Sequence, residues 1–183
     1  MKDPFNQTGP EYGLRVDKPL VLIGLMGVGK TTVGRRLAKK LDLKFVDADE
    51  EIEKAAGLSV QEIFDRFGED YFRDGERRVI ARLMEEERQV IATGGGAFMN
   101  KETRALIMSK STAIWLDADI EILVDRVSRR DTRPLLKNGN PAEILKALAE
   151  KRNPVYAKAH IHVIGNDSPH DLTVNNIMKS LNP

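Results

Sequence analysis

The chain has 183 residues, 41% hydrophobic and 31% charged, the balance of a globular domain long enough to bury a core without disulfide or metal staples. A net charge of +1 excludes a large nucleic-acid footprint, and the lack of cysteine excludes a disulfide framework and thiolate metal sites. No apolar run is long enough to span a bilayer and the opening residues lack the apolar stretch of a secretory signal, so a cytoplasmic protein without a membrane partner is expected.

Residues 1–18 are polar and carry Pro4, Gly9, Pro10 and Gly13, which predicts a flexible extension ahead of a single domain at 19–183. Leu20 to Ile23 is a short continuous apolar run, the pattern of a strand buried on both faces. A glycine-rich turn follows, then a helical pattern with Val33, Leu37, Ala38 and Leu41 on one face. Residues 44–46 read as a second strand. Val60, Ile63, Phe64 and Phe67 have helical spacing, with Ser59 and Glu62 placed as a capping box, and Val79, Ile80, Leu83 and Met84 continue the pattern. Residues 90–92 form a third strand ending at Gly94-Gly95-Gly96, and residues 112–116 a fourth, with Asp119 as N-cap of the helix carrying Ile120, Leu123, Val124 and Val127. Residues 128–140 are rich in arginine and turn formers and poor in core residues, which suggests a lid. Asn140-Pro141 then opens a helix to about Tyr156, residues 161–164 form a last strand, and Ser168-Pro169 opens a final helix. Strands alternating with helices predict an α/β fold with a parallel sheet covered on both faces.

Gly24-Leu25-Met26-Gly27-Val28-Gly29-Lys30-Thr31 fits the P-loop pattern at every fixed position. Glycines let backbone N–H groups approach phosphate oxygens, Lys30 can reach the β- and γ-phosphates, Thr31 offers a hydroxyl to Mg²⁺, and the helix beginning here adds its positive N-terminal dipole. A chance match in a chain this long is roughly a one-percent event on average residue usage. Gly27, Val28, Gly29, Lys30, Thr31 and Thr32 are therefore the candidate ATP contacts of the loop, although the loop does not name the acceptor.

Asp47-Ala48-Asp49 ends the second strand, and in an open parallel sheet the carboxyl ends of strands line the ligand crevice. One acid could hold a magnesium water while the other takes or orients an acceptor hydroxyl; alternatively Asp49 merely N-caps the next helix. The third strand ends in Ala92-Thr93-Gly94, without the acid that many P-loop proteins place there, which turns attention to Asp47. The triple glycine lets backbone approach a ligand closely, or is a plain turn. Arg73 sits near a helix start, where a cation gains nothing from the dipole, and Arg152 precedes Asn153-Pro154. Each is either a solvated surface arginine or a bidentate grip on a carboxylate. Arg126, Arg129, Arg130 and Arg133 crowd in or just before the lid-like segment, where closure over ATP could place a cation on the transferring phosphoryl group.

Taken in this order and spacing, GLMGVGKTTVGRRLA, FVDADEEIE, SVQEIF, GEDYFRDGE, TGGGAF, TRPLL and KRNPVYAKA resemble the shikimate kinase family from about Pro19 to the C-terminus. The resemblance implies transfer of the ATP γ-phosphate to the 3-hydroxyl of shikimate, with Mg²⁺, on the route to chorismate and the aromatic amino acids. It implies a three-layer α/β/α fold of the P-loop, nucleoside monophosphate kinase-like type, with a five-stranded parallel sheet and a mobile lid at about 128–140. By position, Lys30 binds phosphate, Thr31 binds Mg²⁺, and Asp47 serves the metal through water. Asp49 binds and activates the acceptor hydroxyl, Arg73 and Arg152 grip its carboxylate, and Gly94, Gly95 and Gly96 face it. Arg133 is the lid arginine and Arg126 lies near the adenine. Shikimate and ATP are the expected partners of a monomer. The readings set against this one are another small-molecule kinase, acting on gluconate or a nucleoside monophosphate, and a P-loop switch without a metabolite acceptor.

Overall fold

A computed structural model describes residues 16–129, 139–165 and 169–182. Its elements alternate from the start. Strand β1 (Leu20–Ile23) leads through the glycine turn to helix α1 (Lys30–Leu41), β2 (Lys44–Asp47), α2 (Ala48–Ala56) and the long α3 (Val60–Glu85). Next come β3 (Gln89–Ala92), a 3-10 turn (Ala97–Met99), α4 (Lys101–Lys110), β4 (Thr112–Asp117), α5 (Ile120–Ser128), α6 (Pro141–Tyr156), β5 (Ile161–Ile164) and α7 (His170–Leu181).

The five strands form one all-parallel sheet in the order β2-β3-β1-β4-β5. The registers Leu20↔Val90 and Leu20↔Thr112 put β1 at its centre. Every residue of β1 and β3 is buried, which explains why their sequences are apolar runs rather than alternations. The edge strand β5 is less covered, and its Ile164 is exposed. The chain leaves β1 toward one edge of the sheet and leaves β3 toward the other. Right-handed crossovers in opposite directions put their helices on opposite faces. Accordingly α1 packs with α7, whereas α3 packs with α4 and the 3-10 turn packs with α6. The loop after β1 and the loops after its neighbours therefore part at the carboxyl end of the sheet, which opens a crevice there.

Local signals account for most boundaries. Ser59 and Glu62 form the expected capping box, and Asn140 accepts from Ala142 N with Pro141 opening α6. Asp119 stands at the N-cap of α5, but its side chain makes no capping bond. At α2 the cap is Asp47, whose side chain accepts from Asp49 N, so Asp49 is not the capping residue. The sequence reading passed over the 3-10 turn and α4, where Leu106, Ile107 and Met108 run consecutively and blur the helical period. Asn100, which accepts from Thr103 N, was the available signal for that helix. Helix α3 is broken at Gly68 (φ 81°, ψ 176°), so Arg73 lies early in its second stretch. Most of the extension expected at 1–18 and most of the lid expected at 128–140 lie outside the described residues. No helix among the described residues is long and apolar enough to cross a membrane.

Candidate active site

The P-loop rises from the centre of the sheet, at the end of β1. At Gly24 (φ 146°) any Cβ would collide with the carbonyl of Leu116 on the neighbouring strand, so only glycine allows the chain to turn there. Lys30 Nζ donates to the carbonyl oxygens of Gly24 (2.8 Å) and Leu25 (3.0 Å), which ties the cation across its own loop. Thr31 Oγ1 donates to Asp47 Oδ2 at 3.3 Å, and Asp49 N donates to Asp47 Oδ1 at 3.0 Å. One carboxylate thus orients both the P-loop hydroxyl and the start of α2. Arg126 Nη1 lies at 3.4 Å and 3.5 Å from the carbonyls of Gly27 and Val28, so α5 is fastened to the outer side of the loop.

A cavity of about 520 Å³ opens above these groups. Of the residues singled out in the sequence, Gly27, Gly29, Lys30, Thr31, Thr32, Asp47, Asp49, Gly94, Gly95, Arg126 and Arg129 line it, whereas Arg73, Gly96 and Arg152 do not. Val28 turns its side chain into the core, and what it offers is backbone. Thr93, at the end of β3, spends its hydroxyl on the carbonyl of Leu22 (3.0 Å) and ties β3 to β1.

The triple glycine has a steric reason that the sequence did not disclose. Each position has a different charged side chain directly over it. A Cβ on Gly94 would stand 3.0 Å from Asp49 Oδ1, one on Gly95 2.8 Å from Arg152 Nη1, and one on Gly96 inside the Arg73 guanidinium. Three elements, α2, α3 and α6, therefore deliver one charged group each onto a floor of bare backbone. A plain turn would need no such clearance.

The charges tune one another. Burial raises the pKa of Asp49, the carboxylate of Asp47 raises it further, and the Lys30 and Arg73 cations oppose the shift. Arg73 Nη1 is held by Glu76 Oε1 at 2.7 Å, with a looser contact from Arg73 Nε to Glu69 Oε1 at 3.5 Å. Glu76 is 1% exposed; burial pushes its pKa up while Arg73 pulls it down. Tyr156 is fully buried, and its hydroxyl donates to the carbonyl of Gly95. Sequence reasoning missed both Glu76 and Tyr156. The signal was helical spacing, because Glu76 follows Arg73 by three residues and Tyr156 follows Arg152 by four. His170, the first residue of α7, also lines the cavity and packs against Gly29. Arg133, expected on the lid, lies outside the described residues.

The arrangement has two halves. A helix N-terminus with glycine amides, an ammonium and a hydroxyl suits a polyphosphate. Across from it, a buried carboxylate and two guanidiniums suit a small hydroxylated acid.

The family model for shikimate kinase matches residues 26–182. Relatives named shikimate kinase include one from Novosphingobium aromaticivorans, 56% identical over 92% of this chain and 90% of its own length. Another, from Caulobacter vibrioides, is 57% identical over 90% of this chain and 82% of its own length. The fold matches that of a shikimate kinase from Acinetobacter baumannii, solved in complex with shikimate, with a TM-score of 0.83 and 35% identity over 88% of this chain and 91% of that one. A P-loop at the centre of a parallel sheet, an acid at the end of β2, two arginines over a triple glycine, and relatives this close along nearly the whole length leave one assignment: the chain belongs to the shikimate kinase family.

Proposed function

We propose that this chain transfers the γ-phosphoryl group of ATP to the 3-hydroxyl of shikimate, giving ADP and shikimate 3-phosphate, in the cytoplasm and as a monomer. The observation that carries the reading is the convergence of Asp49, Arg152 and Arg73 on Gly94, Gly95 and Gly96, a turn whose Asp49, Gly94 and Gly95 share one cavity with Lys30 and Thr31. A nucleotide acceptor would need a base pocket on that side. Two guanidiniums beside a carboxylate and bare backbone favour a compact hydroxy acid.

In this reading the P-loop amides and Lys30 seat the ATP phosphates. Lys30 exchanges the carbonyls of Gly24 and Leu25 for phosphate oxygens, so the cation is already within reach before ATP arrives. Thr31 and Asp47 fit a Mg²⁺ ion. Both offer oxygen, and a magnesium shared with phosphates keeps several waters and needs only one or two protein groups. No three-residue cage of His, Cys, Asp or Glu occurs among the described residues, as such a shared ion requires none. When bound, the ion would be held by Thr31 and Asp47 and would neutralise charge on the phosphates. Arg73 and Arg152 hold the shikimate carboxylate, which fixes the ring so that the 3-hydroxyl faces Asp49. Asp49 accepts the hydroxyl proton as that oxygen attacks phosphorus in line, and Lys30 stabilises the charge that leaves with ADP.

The test is ADP release with ATP and Mg²⁺, with and without shikimate, using gluconate and nucleoside monophosphates as comparison acceptors. Release that depends on shikimate, with shikimate 3-phosphate as product, is the expected result. Release driven by one of the other acceptors and not by shikimate would sink the reading.

A further inference from the structure

We propose that Tyr156 is a positioning residue for the acceptor carboxylate, bridging the Arg152 guanidinium to the carbonyl of Gly95 so that cation and glycine turn form one unit. The inference rests on the shikimate reading of the site.

Tyr156 closes α6, one helical turn after Arg152, so both project from the same face. Its ring is fully buried beside Phe98 (centroids 6.5 Å apart) and Trp115 (6.0 Å). Its hydroxyl donates to Gly95 O at 2.5 Å. Built onto Gly95, a Cβ would lie 2.8 Å from Arg152 Nη1 and 3.6 Å from the phenol oxygen, so guanidinium and phenol flank the same glycine. Burial raises the phenol pKa, while the nearby charge of Arg152 lowers it. The phenol keeps its proton and donates it to Gly95, and in the proposed bridge its lone pairs accept from Arg152. A long arginine at the end of a helix would otherwise sample many rotamers, and it would have to be ordered again by each substrate.

The role differs from ordinary packing in what it should change. Tyr156→Phe keeps the ring and removes one oxygen. The KM for shikimate should rise about tenfold, the equivalent of about 1.4 kcal/mol. The KM for ATP should stay within twofold of wild type. The sharper reading comes from shikimate methyl ester, which lacks the anionic carboxylate. Wild type should prefer shikimate strongly, and Tyr156→Phe should shrink that preference by about the factor lost in KM, because the damage falls only on carboxylate recognition. Arg152→Lys, which keeps the charge but loses the contact from the other side, should shrink the same preference and add little in the double variant. An unchanged preference in Tyr156→Phe, or a parallel rise in both KM values, overturns the proposal. If the wild type itself fails to phosphorylate shikimate, the functional reading fails first. If it succeeds and Tyr156→Phe behaves like wild type, only this inference falls.

Discussion

Asp49 is held where its charge is unfavourable. Burial and the neighbouring Asp47 raise its pKa, with Lys30 and Arg73 only partly offsetting them. The sign of the stability effect follows. A carboxyl that binds its proton more tightly when folded than when unfolded loses stability as pH rises through the folded pKa, so at neutral pH the charged group weakens the fold. Asp49→Asn should therefore melt at a higher temperature than wild type while kcat falls by about 10²–10³-fold, the share of a general base, and ATP binding persists. Calorimetry and turnover on one preparation check both halves; a lower melting temperature would contradict the charge argument. In the proposed mechanism the working form of Asp49 is the carboxylate, so kcat should fall on acidification at a pH above that of an ordinary aspartate. In Asp47→Asn that acid limb should move to lower pH, since a cause of the raised pKa is gone. The glycines make a complementary case. In Gly96→Ala the new methyl occupies the place of the Arg73 guanidinium, so the KM for shikimate should rise about 10–100-fold, the value of a charged hydrogen bond. An unchanged KM in steady-state assays would show that Arg73 does not contribute from this position.

The elements show what was legible in the sequence and what was not. The capping box of α3, the Asn140-Pro141 start of α6 and the buried runs of β1 and β3 were readable because each is a local pattern. Capping of α2 by Asp47 was not, since the competition between two nearby acids is settled only by the angle at which β2 enters the helix. The pairing of Arg73 with Glu76, and the way each glycine faces one particular side chain, depend on how three helices lean over the end of the sheet, and no single segment encodes that. The sharpest local device is Gly68. Its φ of 81° and ψ of 176° lie where essentially only glycine goes, and Arg73 stands five residues beyond the break, so the prediction is that the break aims it. Gly68→Ala should cost about 1–3 kcal/mol from backbone strain, or about 2–12 °C in melting temperature, and should raise the KM for shikimate more than that for ATP. Equal effects on the two substrates would mean that the break does not aim Arg73.

At the scale of the molecule, the nucleotide loop grows from the most central strand. Leu20, Val21 and Leu22 of β1 are inaccessible to solvent, with β3 and β4 hydrogen-bonded on either side. A ligand held by that loop binds the folded core directly rather than a peripheral flap. ATP with Mg²⁺ at a hundred times its dissociation constant should therefore add about 2.7 kcal/mol, about 5–11 °C of melting temperature. Lys30→Met should lose most of that shift in a thermal-shift titration, and a full shift in the variant would remove Lys30 from phosphate binding. The acceptor side is different, for its charges come from helices hung around the rim. That division explains why the family was legible in sequence: the central loop is one contiguous motif, and the rim contributes short words whose order alone identifies them.

Trp115 is the only tryptophan in the chain. It lies face to face on His162, with ring centroids 3.9 Å apart, and 6.0 Å from Tyr156, whose hydroxyl holds the glycine turn. All tryptophan emission of the protein thus comes from a single indole, one side chain removed from the glycine turn. Only the Tyr156 ring lies between that indole and Gly95. On the proposed reading of the site, acceptor binding should therefore change tryptophan emission at equilibrium, without label and without turnover.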